Sequence, residues 1–202
     1  GSALRLARSA ISDSGQGGPA PLLGASVSCH PPEITPGTEA GGGNWPDDDV
    51  LQKSFDEQAH LLLDNGAQAL FLEMLFDRTL GLKAFNAAQK TGLPIFVCIA
   101  CFPDGIASQL GIEPEKVAER MGAGADADTA FMFDGNQVIG IEEGVKAFLD
   151  EPNVAGFFVH HTKSHYVLPG LQAIRRAGWQ GPLGAYPDQG VFRMPEWIFE
   201  DM

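Results

Sequence analysis

Five apolar segments of this sequence each end in side chains that can do chemistry. The end residues are Cys29 and His30, Glu73, Cys101 and Asp104, His160 and His161, and Tyr186 and Asp188. Thiols, imidazoles and carboxylates can transfer protons, bind metal ions or hold a charged substrate. Helix-like segments separate most of the five, and this alternation predicts a parallel sheet whose reactive groups gather at the strand carboxyl ends. We therefore expect these side chains to form one site.

Glu73 follows the apolar run ALFL. A carboxylate at a strand end can bind the ammonium group of a substrate. The alternative is a structural carboxylate satisfied by a helix end or an arginine, because an unpaired buried carboxylate is costly. The strand-end position favours function, and Glu73 is the first candidate for catalysis and substrate binding.

His160 and His161 are adjacent, and adjacent side chains of a regular strand point to opposite faces of the sheet. Both imidazoles can reach one cavity only if the strand contains a bulge. We therefore expect one of them to be structural. His161 is the stronger candidate for contact with a metal ion or ligand, although a lone histidine is often only hydrogen-bonded.

The three cysteines, Cys29, Cys98 and Cys101, are an odd number that fits reduced thiols better than a disulfide framework. Cys98 and Cys101 form a CxxC pattern, but residues three apart on a strand face opposite sides, so core packing is their expected role. Cys29 and Cys101 also lie at strand ends, which makes them candidate substrate-binding residues. Cys29 is a further candidate for a metal site with His30 or His161.

Tyr186 and Asp188 lie in the segment GPLGAYPDQG. They are candidate catalytic residues that would line the pocket at the end of the last apolar run. The alternative is turn chemistry, because Pro and Asp are common turn residues. The sequence leaves both interpretations open.

Apolar spacing predicts the helices that would position these strand ends. The pattern is found in residues 3–15, 47–66, 77–92, 141–151 and 164–178. Two connections are long. Residues 31–49 are rich in Pro and Gly and form a candidate lid. Residues 103–140 are less regular, and we expect an insertion at the end of the sheet that carries the site.

The chain has 202 residues, a formal net charge of -13 and a sequence pI near 4.6. The acidic balance argues against nucleic acid or an anionic membrane surface as a partner. No apolar stretch approaches the roughly 18 to 20 residues needed to span a bilayer, and the first segment is too polar for a signal peptide. We expect one domain over residues 1–202, in the cytoplasm, acting on a small molecule.

Two parallel architectures fit this pattern. A closed (β/α)8 barrel usually needs about 250 residues and eight strands, whereas five strand-helix units are visible here. An open doubly wound sheet would suit the length. However, no GxGxxG or GxxxxGK[ST] loop follows any of the strands, so the nucleotide-binding version of that fold lacks support.

The ordered segments GASVSCHPPE, FLEM, IFVCIACFPDG, FFVHH and GPLGAYPDQG resemble the homocysteine S-methyltransferase family of TIM-barrel enzymes. The resemblance extends from about Leu22 to Gly190. It implies a single domain built as a partial barrel, about strands 3 to 7, with parallel strands and outer helices. The first two strands of the family are absent from this chain.

The resemblance also implies roles for individual residues. Glu73 takes the place of the family glutamate that holds the amino group of homocysteine. In the family the sixth strand ends Val-Asn-Cys, its Cys being the first of three zinc ligands, and here His160 and His161 follow Val159. The seventh-strand pattern GxYPNxG is matched around Tyr186, with Asp188 in place of Asn. The other two zinc ligands are a Cys-Cys pair, which this chain does not contain.

The implied activity is transfer of a methyl group from a sulfonium donor such as S-methylmethionine to homocysteine or a related small thiol. Zinc is the implied cofactor, with His161 where a metal ligand belongs. An imidazole in place of a thiolate leaves more positive charge on the metal and favours harder ligands.

Two alternatives stay open. One is a divergent member in which His161 and Asp188 do acid-base or hard-metal chemistry on another small molecule. The other is a non-catalytic module that forms a homo-oligomer or docks onto a partner to cover its sheet edges.

Overall fold

The computed structural model describes residues 2–13, 15, 21–29, 46–101, 131–135, 137–188, 191–193 and 198–200. Three residues singled out from the sequence, His30, Asp104 and Gly190, lie outside these ranges. The candidate lid as far as residue 45 and the predicted insertion as far as residue 130 also lie outside them.

Five α-helices occur in the described ranges, and each lies largely within a segment whose apolar spacing predicts a helix. They are α1 (Ser2–Asp13), α2 (Asp48–Asp64), α3 (Arg78–Gln89), α4 (Ile141–Val145), which continues as a 3-10 turn at Lys146–Phe148, and α5 (Ser164–Arg176). None of these described helices combines the length and apolar character that crossing a membrane requires.

The described strands fall into one large sheet and two hairpins. In chain order they are β1 (Gly24–Ser28), β2 (Ala69–Leu75), β3 (Ile95–Ala100), β4 (Phe131–Asp134), β5 (Gln137–Gly140), β6 (Val154–Lys163), β7 (Leu183–Asp188), β8 (Val191–Arg193) and β9 (Ile198–Glu200). β4 pairs with β5, and β8 with β9, in antiparallel fashion.

The large sheet is entirely parallel, in the order β1-β2-β3-β6-β7. The predicted α/β class with a parallel sheet and flanking helices is therefore confirmed. Its strands follow one another in chain order, whereas a doubly wound sheet reverses its order at a switch point. In the described ranges β1 and β7 are the two edges of the sheet.

The hydrophobic core lies between the helices and one face of this sheet. Alternate strand residues such as Leu72, Val97 and Phe157 are fully buried there. The helices contribute Phe85 of α3 and Ile174 of α5 to the same cluster. Every second residue of the strands thus packs against the apolar faces of α3 and α5 in one layer.

A hairpin, β4 and β5, occupies residues 131–140, so the prediction of irregular structure is wrong there. Its turn contains Gly135 with a φ of 58°, a left-handed conformation that glycine adopts without a steric penalty. The Gly135 N–H donates to Asp77 at 2.7 Å, and the same carboxylate accepts from the Leu80 N–H at 2.8 Å as the cap of α3. The hairpin is therefore fastened to the carboxyl end of β2.

Close packing between α3 and β2 depends on Gly81. A Cβ at this position would lie 2.6 Å from Cγ of the buried Leu75. Gly81→Ala should lower the free energy of unfolding, measured by urea denaturation, by about 1 to 3 kcal/mol, because the helix must move away from the sheet. Asn86→Ala, on the exposed side of α3, is the matched control and should change it by less than about 0.5 kcal/mol. Equal stability of the two variants would contradict this packing argument.

Candidate functional site

The carboxylate of Glu73 lies at the carboxyl end of β2, between hydroxyl groups from two other strands. The Ser26 hydroxyl of β1 donates to Oε2 at 2.7 Å, and the Tyr186 hydroxyl of β7 donates to Oε1 at 3.1 Å. Burial raises the pKa of the Tyr186 hydroxyl, and the neighbouring Cys98 and Glu73 add to this effect. The phenol therefore stays protonated and acts as a donor to the carboxylate.

The contact between Glu73 and Tyr186 shows that the sheet is curved. Three strand spacings of about 4.8 Å, roughly 14 Å in all, separate β2 from β7 along the sheet. Side chains stand roughly perpendicular to a sheet, so a 3.1 Å contact between groups this far apart indicates that their face is concave. We call this surface the concave face.

Below Glu73, aromatic rings line the concave face. Phe71 and Phe96 stack with centroids 4.6 Å apart, Phe96 and Phe158 meet at 5.8 Å, and Phe158 and Tyr186 meet at 5.9 Å. The phenylalanine side chains are partly buried. The site therefore has a carboxylate at its end and an aromatic wall beside it.

A bulge in β2 determines the backbone around Glu73. β2 pairs with β3 at Leu72 and again at Leu75, whose partners are only two residues apart on β3, so two residues of β2 oppose one of β3. Met74 takes a φ of 58°, a left-handed conformation that costs on the order of 1 kcal/mol or more for a residue other than glycine.

His160 supplies a hydrogen-bond acceptor to this bulge. The Met74 N–H donates to its Nε2 at 2.7 Å, so the neutral ring carries its proton on Nδ1. The side chain is fully buried, and the backbone of Cys98 lies beside the ring. Burial, with a smaller contribution from His161, lowers the pKa of His160 to about 3. The imidazole is therefore neutral at physiological pH.

His161 follows on an irregular part of β6. Its φ is 41°, and the pairing of β6 with β7 shifts register between His160 and Lys163. The two imidazole rings lie 4.7 Å apart. Adjacent side chains of a regular strand point to opposite faces, so the sequence analysis required a bulge for such an approach. Nδ1 of His161 lies 3.1 Å from the Asp188 carboxylate, and 42% of the His161 side chain is exposed.

The cysteines divide between the two sides of the sheet, as their spacing predicts. Cys98 lies beside Tyr186 on the concave face, whereas Cys101 is part of the core cluster on the helix side. Cys29 is also buried in that cluster, although its backbone N–H donates to the Glu73 carbonyl at 2.7 Å. The structure therefore does not bring the thiols of the substrate-binding candidates Cys29 and Cys101 to the concave face.

Burial also keeps these thiols protonated. It raises the pKa of Cys98 and of Cys101 to about 12, and it raises the pKa of Cys29 even further above the ordinary range. A metal ligand or nucleophile needs the thiolate. None of the three fits either role in this environment.

The described residues do not fit the zinc site that the family resemblance implies. Within these ranges, no three His, Cys, Asp or Glu side chains are grouped so as to hold a metal ion. Nε2 of His160 already accepts a hydrogen bond from Met74, and Nδ1 of His161 faces Asp188.

Ser26 and the backbone of Met74 belong to the site but were not singled out from the sequence. The period-two pattern of GASVS, with Ala25 and Val27 buried and Ser26 exposed, is a signal that could have placed Ser26 beside Glu73. The left-handed backbone of Met74 has no comparable sequence signal, because it depends on an acceptor from a distant strand.

No protein-family model matches this sequence, and no curated protein matches it. The family resemblance therefore rests on the quoted motifs alone.

The neutral, buried state of His160 predicts how stability depends on pH. An unfolded histidine titrates near 6.5, whereas the pKa of His160 in the folded chain is about 3, so between these values the unfolded state binds the extra proton. Stability should therefore fall as the pH falls from 6.5, with a slope of at most about 1.4 kcal/mol per pH unit from this residue.

Urea unfolding of the wild type and of His160→Gln at pH 7.5, 6 and 5 tests this expectation. The wild type should lose more stability than the variant across this interval, in which most carboxylates stay ionised. Parallel losses in the two proteins would contradict the assignment of a neutral buried His160.

Proposed function

We propose that this chain binds homocysteine or a related small amino thiol and transfers to its sulfur a methyl group from a sulfonium donor such as S-methylmethionine. The observation that carries the proposal is the Glu73 carboxylate, held by the Ser26 and Tyr186 hydroxyls at the carboxyl end of a concave parallel sheet.

The carboxylate is suited to an ammonium group. It offers about four acceptor positions, and the two hydroxyl groups occupy one on each oxygen. Among the described residues no lysine or arginine forms a salt bridge with Glu73. A substrate ammonium would supply the missing positive charge and up to three N–H donors.

The sheet supports a sector of a (β/α) barrel as the architecture. Strands in chain order, helices packed on one face and curvature on the other are features of such barrels, whose active sites lie at the strand carboxyl ends. The carboxyl ends of the strands in this sheet carry Glu73, His161, Tyr186 and Asp188.

The reaction requires the thiol sulfur to attack the methyl carbon of the sulfonium. The new C–S bond forms as the methyl–sulfonium bond breaks, and the donor leaves as a neutral thioether while the thiol gives up its proton. The aromatic wall of Phe71, Phe96 and Phe158 would favour the sulfonium cation through its π systems. The described residues do not fit zinc, so the proposal assigns no step to a metal ion.

Glu73→Gln tests the proposal directly. It removes the negative charge with little change in shape and should weaken binding of L-homocysteine, measured by isothermal titration calorimetry, by more than about tenfold. The matched control Glu57→Gln alters an exposed glutamate on α2 and should bind as the wild type does. Unchanged affinity in Glu73→Gln, with the circular dichroism of the folded protein retained, would remove Glu73 from the site.

A second candidate function, acid-base chemistry at His161, is favoured by the 3.1 Å contact between its Nδ1 and Asp188. A carboxylate at Nδ1 orients the ring and leaves Nε2 as the proton acceptor. This pair could take the thiol proton in methyl transfer, or it could act on a different small molecule.

Asp188→Asn separates these uses, with Asp150→Asn at an exposed position as control. If the pair serves methyl transfer, Asp188→Asn should reduce thiol methylation by S-methylmethionine about 100-fold and leave the affinity for homocysteine unchanged. If the wild type binds homocysteine but methylates no thiol, a different reaction is favoured. Full activity of Asp188→Asn would exclude the pair from proton transfer in thiol methylation.

A further inference from the structure

We infer that His160 is a positioning residue, whose neutral imidazole holds the bulged Glu73–Met74 peptide so that Glu73 faces the site. The predicted effect of His160 on the affinity for an amino thiol rests on the proposed function. The predicted effect of His160 on the position of Glu73 does not depend on any substrate.

The bulge allows β2 to place residues 73 and 75 on opposite faces of the sheet, which a regular strand cannot do. Residues 73 and 75 of a regular strand would lie on the same face. Here Glu73 meets Ser26 and Tyr186 on the concave face, whereas Leu75 is fully buried in the core on the helix side. Without the bulge, either Leu75 would leave the core or Glu73 would leave the site.

If the bulge were absent, the burial of Leu75 would determine whether Leu75 or Glu73 changes face. Its side chain is packed against α3 at Gly81, and exposing it would cost the hydrophobic energy of the contact. A regular β2 would therefore keep Leu75 in the core and turn Glu73 away from Tyr186.

The peptide between Glu73 and Met74 is held at both of its polar atoms. The Glu73 carbonyl accepts from the Cys29 N–H at 2.7 Å, and the Met74 N–H donates to Nε2 of His160 at 2.7 Å. The bulge takes this N–H out of the ladder with β3, and a partly buried N–H needs another acceptor. His160 is that acceptor.

His160 also connects the two groups that meet at the carboxylate. Its ring packs edge-on against Tyr186 with centroids 4.8 Å apart, while its Nε2 holds the residue after Glu73. Full burial excludes water as a replacement acceptor at the ring. One side chain thus orients both the carboxylate and a hydroxyl group that donates to it.

His160→Leu and His160→Gln separate hydrogen bonding from packing. Leucine fills space without an acceptor, whereas the glutamine side chain carries a carbonyl oxygen that can reach the Met74 N–H. Phe148→Leu is the matched control, because Phe148 is equally buried but packs against Phe85 on the helix side. All measurements are made where circular dichroism shows each variant folded.

Two readouts need no ligand. The chain has five methionines, so labelling with 15N-methionine gives few amide signals. The Met74 amide hydrogen should exchange with solvent rapidly in His160→Leu and slowly in the wild type, His160→Gln and Phe148→Leu. In a crystal structure of His160→Leu, the Glu73 carboxylate should have left the Tyr186 hydroxyl. A slow Met74 amide or an unmoved carboxylate in His160→Leu would overturn the inference. If that variant does not fold, the same result in His160→Val, which also lacks an acceptor, would overturn it.

The third readout is the affinity for L-homocysteine. His160→Leu should weaken it about tenfold or more, because a displaced carboxylate no longer meets the ammonium, and His160→Gln should recover most of the loss. Equal affinity in His160→Leu and the wild type would overturn the positioning role. If the wild type does not bind homocysteine, the proposed function fails, and the two ligand-free readouts still decide the role of His160.

Discussion

The bulge of β2 at Glu73 and Met74 is the constraint on which the rest of the site depends. It lets one strand place a carboxylate on the concave face and, two residues later, a leucine in the core. The left-handed backbone of Met74 is unfavourable by itself, so contacts from other strands must hold it. Cys29 on one side and His160 on the other supply those contacts. The carboxyl ends of β1, β2 and β6 are therefore one unit.

Burial sets the charge of the thiols and the imidazole in and around this unit. The thiols of Cys98 and Cys101 and the imidazole of His160 are all neutral, because desolvation penalises the charged form of each. Two hydroxyl groups donate to the Glu73 carboxylate at the surface of the site. The aromatic wall beside the Glu73 carboxylate is consistent with the proposed binding of a small cation.

The sequence was sufficient for those parts of the fold that depend on local periodicity. The five apolar runs placed the five parallel strands, and apolar spacing identified the segment 77–92 that contains α3. The β4–β5 hairpin was missed, although the Gly-Asn sequence between the paired residues Asp134 and Gln137 is a common hairpin-loop sequence. The bulges could not be located, because they depend on acceptors and neighbours far away in the chain. Core packing of Cys101, by contrast, was expected from its spacing to Cys98, and its thiol lies in the core.

The positions at which this chain departs from the resembled family motifs lie next to one another in space. His160 and His161 stand where the resembled sixth-strand pattern has Asn and Cys, and Asp188 stands where the seventh-strand pattern has Asn. The two imidazoles lie 4.7 Å apart, and His161 lies 3.1 Å from Asp188. A histidine that gains a carboxylate partner is oriented for proton transfer, whereas a cysteine at the same place would need a metal ion to stay a thiolate. Under the proposed function, these three residues therefore supply an oriented imidazole at the place where the resembled family has a thiolate ligand.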